Sequence, residues 1–144
     1  MLYEFVVRAS ADANGKPVSG SITGCFNYGP ASITEIDFEV EGNERSGLCH
    51  FTSWCGDTNP NQTTPVAGIQ PHDGFHKYEF RWTPGKIEFY RDDVLVATHT
   101  KVVPSQPVPF LFNHWGTNNK DWGGLATPGV ERVMLVKSFK FTPI

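Results

Sequence analysis

The sequence predicts an all-β domain, a β-sandwich or jelly roll. Aromatic residues make up 13% of the 144-residue chain, alongside 14 Gly and 11 Pro. Aromatic side chains favour pleated, half-buried surfaces, while Gly and Pro punctuate turns. Between those turns, short runs alternate apolar and polar residues with the period of a strand. No stretch longer than ten residues has the apolar spacing of an amphipathic helix.

Taken in order, residues 2–10 alternate, with Leu2, Phe5 and Val7 among polar neighbours. The cluster Asp12-Ala13-Asn14-Gly15-Lys16-Pro17 then reads as a turn. Residues 18–27 form a second strand, closed by Tyr28-Gly29-Pro30. Residues 34–41 alternate strictly: Ile36, Phe38 and Val40 share one face, and Glu35, Asp37, Glu39 and Glu41 the other. Residues 48–54 are the next strand. The Asn/Pro/Thr-rich stretch 57–65 reads as a loop too polar to pack. Residues 76–83 and 86–91 are strands joined at Pro84-Gly85, and Asp92-Asp93 turns the chain into a strand over 94–100. Residues 110–115 and 131–141 complete eight or nine short strands, the pattern of a sandwich.

Composition narrows the function. Twelve Lys+Arg against fifteen Asp+Glu give a net charge of −3 with no basic cluster. A nucleic-acid binder, which must neutralise phosphates, is excluded. The apolar runs at 110–112 and 133–136 are too short to cross a bilayer, so no membrane partner is expected. The first seven residues show no secretion signal. The three cysteines leave two readings. Cys49 and Cys55 close a small loop in an oxidising compartment with Cys25 free, or all three are buried or half-buried thiols.

The acidic row is the strongest chemical signal. Same-face carboxylates about 7 Å apart repel and add no stability, so a merely solvated face is a poor account of them. Glycoside hydrolysis needs such a row: one carboxylate stays ionised as nucleophile while its partner keeps a proton for the leaving oxygen. Crowding splits the titrations, because a like charge raises the pKa of its neighbour. On a regular strand Glu35 and Glu39 have Cα atoms about 13 Å apart. Retaining enzymes hold their carboxyl groups about 5–5.5 Å apart, so these side chains must lean together.

Glu35-Ile36-Asp37-Phe38-Glu39 resembles the E-x-D-x-E motif of glycoside hydrolase family 16, the family of lichenases, laminarinases and xyloglucan transglycosylases. The stretch 75–93, with His76, Tyr78, Trp82 and Pro84, is similar to the family's H-x-Y-x-x-x-W-x-P segment. Phe112-Asn113-His114-Trp115-Gly116-Thr117, followed by Asp121-Trp122, resembles its M-N-x-W … D-W segment. The three blocks stand in the family's order. The resemblance implies a concanavalin-like jelly roll of two antiparallel sheets with a concave substrate cleft. It covers residues 1–144 as one catalytic domain, short at its N-terminus.

By that resemblance Glu35 is the nucleophile, Glu39 the general acid/base, and Asp37 the residue that orients and tunes the nucleophile. The substrate is a β-glucan, cleaved internally with retention, and the protein is secreted or extracellular. Two alternatives stay open: a non-catalytic carbohydrate-binding module on the same fold, and a xyloglucan-type transglycosylase. Substrate signals conflict, since His50 resembles the laminarinase branch while the unbulged motif resembles the lichenase and xyloglucan enzymes. Missing strands would leave unpaired edges, for which self-association is a remedy.

Sugar rings pack their C–H faces on aromatic planes, and side-chain amides bond hydroxyls. His50, Trp54, Asn113, Trp115 and Trp122 are therefore the substrate-binding candidates, with Trp82 assigned to the core. Trp54 suits both core and cleft. No cofactor and no metal is expected. His72 and His76 lie four apart, but Pro71 and Gly74 break any helix between them. A calcium ligand in the family's last strand falls here on Lys137 or Ser138, neither of which suits a hard cation.

Overall fold

In the computed structural model, which describes residues 1–32, 34–56 and 60–144, ten strands form two antiparallel five-stranded sheets. One sheet runs β10(Val133–Thr142)-β1(Leu2–Ala11)-β6(His76–Thr83)-β7(Lys86–Arg91)-β8(Val94–His99). The other runs β5(Asn61–Val66)-β4(Cys49–Cys55)-β3(Thr34–Glu41)-β2(Ser21–Gly29)-β9(Phe110–Gly116). A 3-10 turn, Pro30–Ser32, precedes β3.

Alternation decides which residues the sandwich buries. Phe5 and Val7 of β1, Ile36, Phe38 and Val40 of β3, and Phe51 of β4 point between the sheets with almost no exposure. Tyr78 and Phe80 of β6 and Phe89 of β7 close over them from the other sheet. Phe5 meets Phe80 edge-on at 5.2 Å, and Phe38 meets Tyr78 at 4.0 Å between ring centroids. Each such ring contributes about 2–3 kcal/mol by leaving water. Trp82 is core as expected, its Nε1 donating to Pro104 O at 2.9 Å.

Polar links cross the sandwich at Ser10, which bonds Thr23 and Ser21, and at His99. His99, fully buried on β8, has Nδ1 at 2.9 Å from Ser53 Oγ and Nε2 at 3.0 Å from Thr64 Oγ1. Ser53 gives its only proton to Val102 O at 2.6 Å, so it accepts from His99 Nδ1, and Thr64 donates to Nε2. A neutral imidazole satisfies all three groups.

Turn chemistry follows the sequence. Pro84 and Gly85 (φ +74°) connect β6 to β7. Asp92 and Asp93 both take positive φ, 48° and 67°, in the two-residue hairpin to β8, a conformation Asp tolerates better than most residues.

Two expectations are corrected. The stretch read as a loop over 57–65 contains β5, paired along β4; Asp57, Thr58 and Asn59 lie outside the described residues. Thr64 and Val66 turn inward while Asn61 and Thr63 turn outward, so a polar sequence still alternates. Pro65 is tolerated because β5 is an edge. The Cys49–Cys55 loop does not exist either. These residues are opposite ends of one strand, so their Cα atoms stand about 20 Å apart, far beyond disulfide reach. All three thiols are free, Cys25 and Cys49 buried and Cys55 half-buried.

The sandwich is open along one side. β9 and β10 are both edge strands there, and Phe110 stacks on Phe139 across the gap at 4.7 Å. Phe112, Phe139 and Phe141, all pointing into the sandwich, keep 37%, 43% and 46% of their surface exposed.

Candidate active site

The face of β3 opposite the core carries the acidic row onto the outer surface of its sheet. Antiparallel register sets its neighbours. Glu35 lies between Tyr28 and Trp54, Asp37 between Phe26 and Thr52, and Glu39 between Gly24 and His50. One strand further, Asn113 sits beside Gly24, Trp115 beside Ile22, and Thr63 beside Thr52. The register thus assembles residues from five strands on one surface.

Two adjoining hollows occupy that surface. One, of about 160 Å³, is lined by Gly24, Phe26, Glu35, Asp37, Glu39, Asn113 and Trp115. The other, of about 350 Å³, is lined by Glu39, His50, Thr52, Trp54, Asn61, Thr63 and Trp122. Glu39 lines both, which makes them one cleft. All eight residues singled out from the sequence lie along it, and β3 is regular throughout, without a bulge.

The three acids titrate differently. Burial, then the charges of Glu35 and Glu39, push Asp37 well above the usual carboxylate range. Trp54 Nε1 donates to Asp37 Oδ2 at 2.9 Å and opposes that rise. Glu35 is raised by burial, and a hydrogen bond from Asp37 pulls it back. Two carboxyl groups can share a hydrogen bond only if one keeps its proton. Asp37, the more strongly raised, is that donor, leaving Glu35 as the ionised acceptor. Glu39 is raised to about 7, first by burial and then by the charges of Glu35 and Glu41. Glu39 therefore exchanges its proton near neutrality, while burial and crowding make Asp37 hold its proton more strongly than Glu35 does.

Aromatic surfaces flank the acids. Trp115 is 40% exposed at one end of the cleft. At the other, Trp122 stands 5.2 Å from the His50 ring, tilted by 58°. Trp54, which suited both core and cleft, lies on the cleft surface and is half-buried.

Several cleft residues escaped the sequence reading. Asn61 and Thr63 were concealed in the supposed loop; Thr63 Oγ1 bonds Thr52 Oγ1 at 3.1 Å. Alternation places Phe26 in a strand without fixing its facing, which comes from its pairing with Asp37. Glu41 was seen as a fourth acid, but not its partner: its Oε2 accepts Gly123 N–H at 2.7 Å from 82 residues away. The histidines at 72 and 76 are far from the cleft in bonding terms. His72 Nδ1 lies 2.7 Å from Ser10 O, and His76 Nδ1 lies 2.8 Å from Asp92 Oδ2. Among the described residues no three His, Cys, Asp or Glu side chains are grouped to hold a metal ion.

A two-sheet jelly-roll sandwich with a carboxylate row on its cleft face defines the class of protein, and sequence similarity supplies the family. Residues 5–128 match the family described as "Glycosyl hydrolases family 16", to which this chain belongs. A β-glucanase of Paenibacillus macerans is 35% identical over 111 residues, 74% of this chain and 46% of that protein. One from Paenibacillus polymyxa is 32% identical over the same lengths. The chain thus spans about half the length of the curated relatives it matches. The solved structure of a Bacillus licheniformis β-glucanase superposes with a TM-score of 0.79 at 23% identity. That match covers 96% of this chain and 63% of the other, and it establishes the jelly-roll fold.

Proposed function

We propose that this chain acts as an endo-β-glucan hydrolase, cleaving β-1,3-1,4- or β-1,3-glucan with retention of configuration. The observation that carries the reading is the cleft that gathers Glu35, Asp37 and Glu39 from one face of β3 beside Asn113, Trp115, His50, Trp54 and Trp122. Glu35 attacks the anomeric carbon as the glycosidic C–O bond breaks, and Glu39 delivers its proton to the departing oxygen. A covalent glycosyl–Glu35 ester results. Glu39, now ionised, takes a proton from water, whose oxygen attacks the anomeric carbon and releases Glu35. Asp37 donates its hydrogen bond to Glu35 before attack and after release, fixing the nucleophile's direction. His50, Trp54, Asn113, Trp115 and Trp122 line the track of the polysaccharide.

The names of the curated relatives support a glucan substrate. A polysaccharide is met outside the cell, so a secreted or extracellular location goes with it. The open side at β9 and β10, with its exposed Phe112, Phe139 and Phe141, supports self-association through those edges.

Reducing-sugar release from barley glucan, laminarin and xyloglucan tests the reading. Release of oligosaccharides from either of the first two is expected. Binding of these glucans without turnover at high enzyme concentration would make the protein a carbohydrate-binding module instead. Lengthening of oligosaccharide acceptors in place of hydrolysis would make it a transglycosylase.

A further inference from the structure

Glu41 stands two residues beyond Glu39 on the same face of β3, outside the acid pair that the proposed chemistry uses. A fourth carboxylate there adds repulsion to the row, so its retention calls for a separate account. Its two oxygens point at two different cleft elements. Oε2 accepts the Gly123 N–H at 2.7 Å, and Oε1 lies 3.5 Å from His50 Nε2. His50 in turn faces the Trp122 ring at 5.2 Å.

Trp122 belongs to none of the ten strands. It sits in a tight loop where its own N–H bonds Asn119 O at 3.2 Å and its carbonyl accepts from Thr117 Oγ1 at 3.2 Å. Backbone bonds from Gly20 N to Gly123 O and from Thr117 N to Gly20 O tie this loop to the start of β2. The loop fits there only through glycine. Gly123 has φ +76°, and a Cβ on it would come within 2.5 Å of Thr117 and 2.8 Å of Ile22. Those ties hold the loop to β2, two strands from His50. The bond from Glu41 reaches it from β3, the strand that carries the acids.

We infer that Glu41 is a positioning residue, which fixes the Trp122 loop and His50 as one wall of the cleft beyond Glu39. The geometry explains why a carboxylate stands there. A single short side chain must accept an N–H from the loop and also face a ring nitrogen on β4, and a forked acceptor does both. A leucine or alanine at this position would leave the Gly123 N–H without its partner and free the indole from the acid pair's frame. The part of this inference that concerns glucan rests on the proposed function; the part that concerns Trp122 does not.

The test separates the two. Acrylamide quenching of Trp122, isolated as the difference between each protein and its Trp122→Phe counterpart, reads the wall without any sugar. Glu41→Ala is expected to raise that quenching about twofold, because the ring loses its packing against His50. Glu41→Gln is expected to leave it unchanged, since the amide oxygen still accepts the Gly123 N–H. In a Glu35→Gln background, which blocks turnover, Glu41→Ala should weaken binding of a mixed-linkage glucan oligosaccharide about fivefold to tenfold, and Glu41→Gln should restore it. In the active enzyme Glu41→Ala should raise KM above that of Glu41→Gln, while any change in kcat through Glu39, which loses the Glu41 charge in both variants, should be common to the two. Unchanged Trp122 quenching in Glu41→Ala would overturn the inference, and so would a Glu41→Gln protein as disturbed as the alanine variant. If no oligosaccharide binds even with Glu41 in place, the glucan reading fails while the quenching result still decides the role of Glu41.

Discussion

Trp54 Nε1 donates to Asp37 Oδ2 at 2.9 Å, so a side chain on β4 holds the middle carboxyl of the row on β3. Asp37 is only 3% exposed, so solvent makes a poor replacement for that donor. Trp54→Phe keeps the ring and removes the bond. The expected result is a loss of about tenfold in kcat/KM on barley glucan, the size of one buried hydrogen bond, with a melting temperature lower by a few degrees as Asp37 loses its partner. Unaltered kcat/KM would mean that Asp37 is held without Trp54.

Glu35→Ala should abolish turnover, and added azide should restore part of it as a glycosyl azide. A small anion can occupy the space left by a nucleophilic carboxylate and attack the same carbon. Glu39→Ala should spare the first step on aryl glycosides whose leaving groups need little protonation, while slowing natural glucan. Ordinary activity in Glu35→Ala would remove the nucleophile's assignment.

Glu39 links the site to stability. Its pKa rises from an ordinary 4.5 to about 7, first by burial and then by the charges of Glu35 and Glu41, with Asp37 on its own strand and His50 on β4 the other ionisable neighbours. A raised carboxyl pKa stabilises the fold below the unfolded value, and that stability is lost as pH climbs through the folded one. The loss is at most about 3 kcal/mol. Glu39→Gln should therefore raise the melting temperature at pH 8 and change it little at pH 4. An equal shift at both pH values would contradict the burial of an ionising Glu39.

Much of this architecture was legible because its periodicity is strict. The strands over 34–41, 76–83 and 86–91 begin and end where alternation and the Pro84-Gly85 and Asp92-Asp93 turns put them. The facing of the acids followed from the same alternation. β5 was not legible, because Asn61–Val66 is stabilised by pairing along β4 and by a few inward contacts, not by apolar composition. Register was equally hidden. Nothing in the chain order says that Trp54 meets Asp37, or that Glu41 meets Gly123, since each contact depends on how strands far apart in sequence align.

The same limit concealed the clasp between the sheets, which supports the last prediction. Burial lowers the pKa of His99 from 6.5 to about 4. A depressed imidazole pKa means that the unfolded chain binds a proton which the folded one refuses. Its contribution to stability is complete above pH 6.5 and disappears as pH falls from there to about 4. Protonating His99 would make Thr64 Oγ1 turn its own proton away and accept from Nε2 instead, and would leave a charge between two sheets. This slope runs opposite to that of Glu39, so the wild-type curve alone cannot separate them. In a Glu39→Gln background one opposing slope is removed. The histidine contribution is then read as the difference from a variant that also lacks His99, with urea midpoints of Glu39→Gln falling the more between pH 6.5 and 4. Adding His99→Gln should flatten that fall while lowering stability at pH 7, because one short amide cannot serve Ser53 and Thr64 together. If the double variant loses stability on acidification as steeply as Glu39→Gln alone, the acid sensitivity lies elsewhere and His99 is not its source.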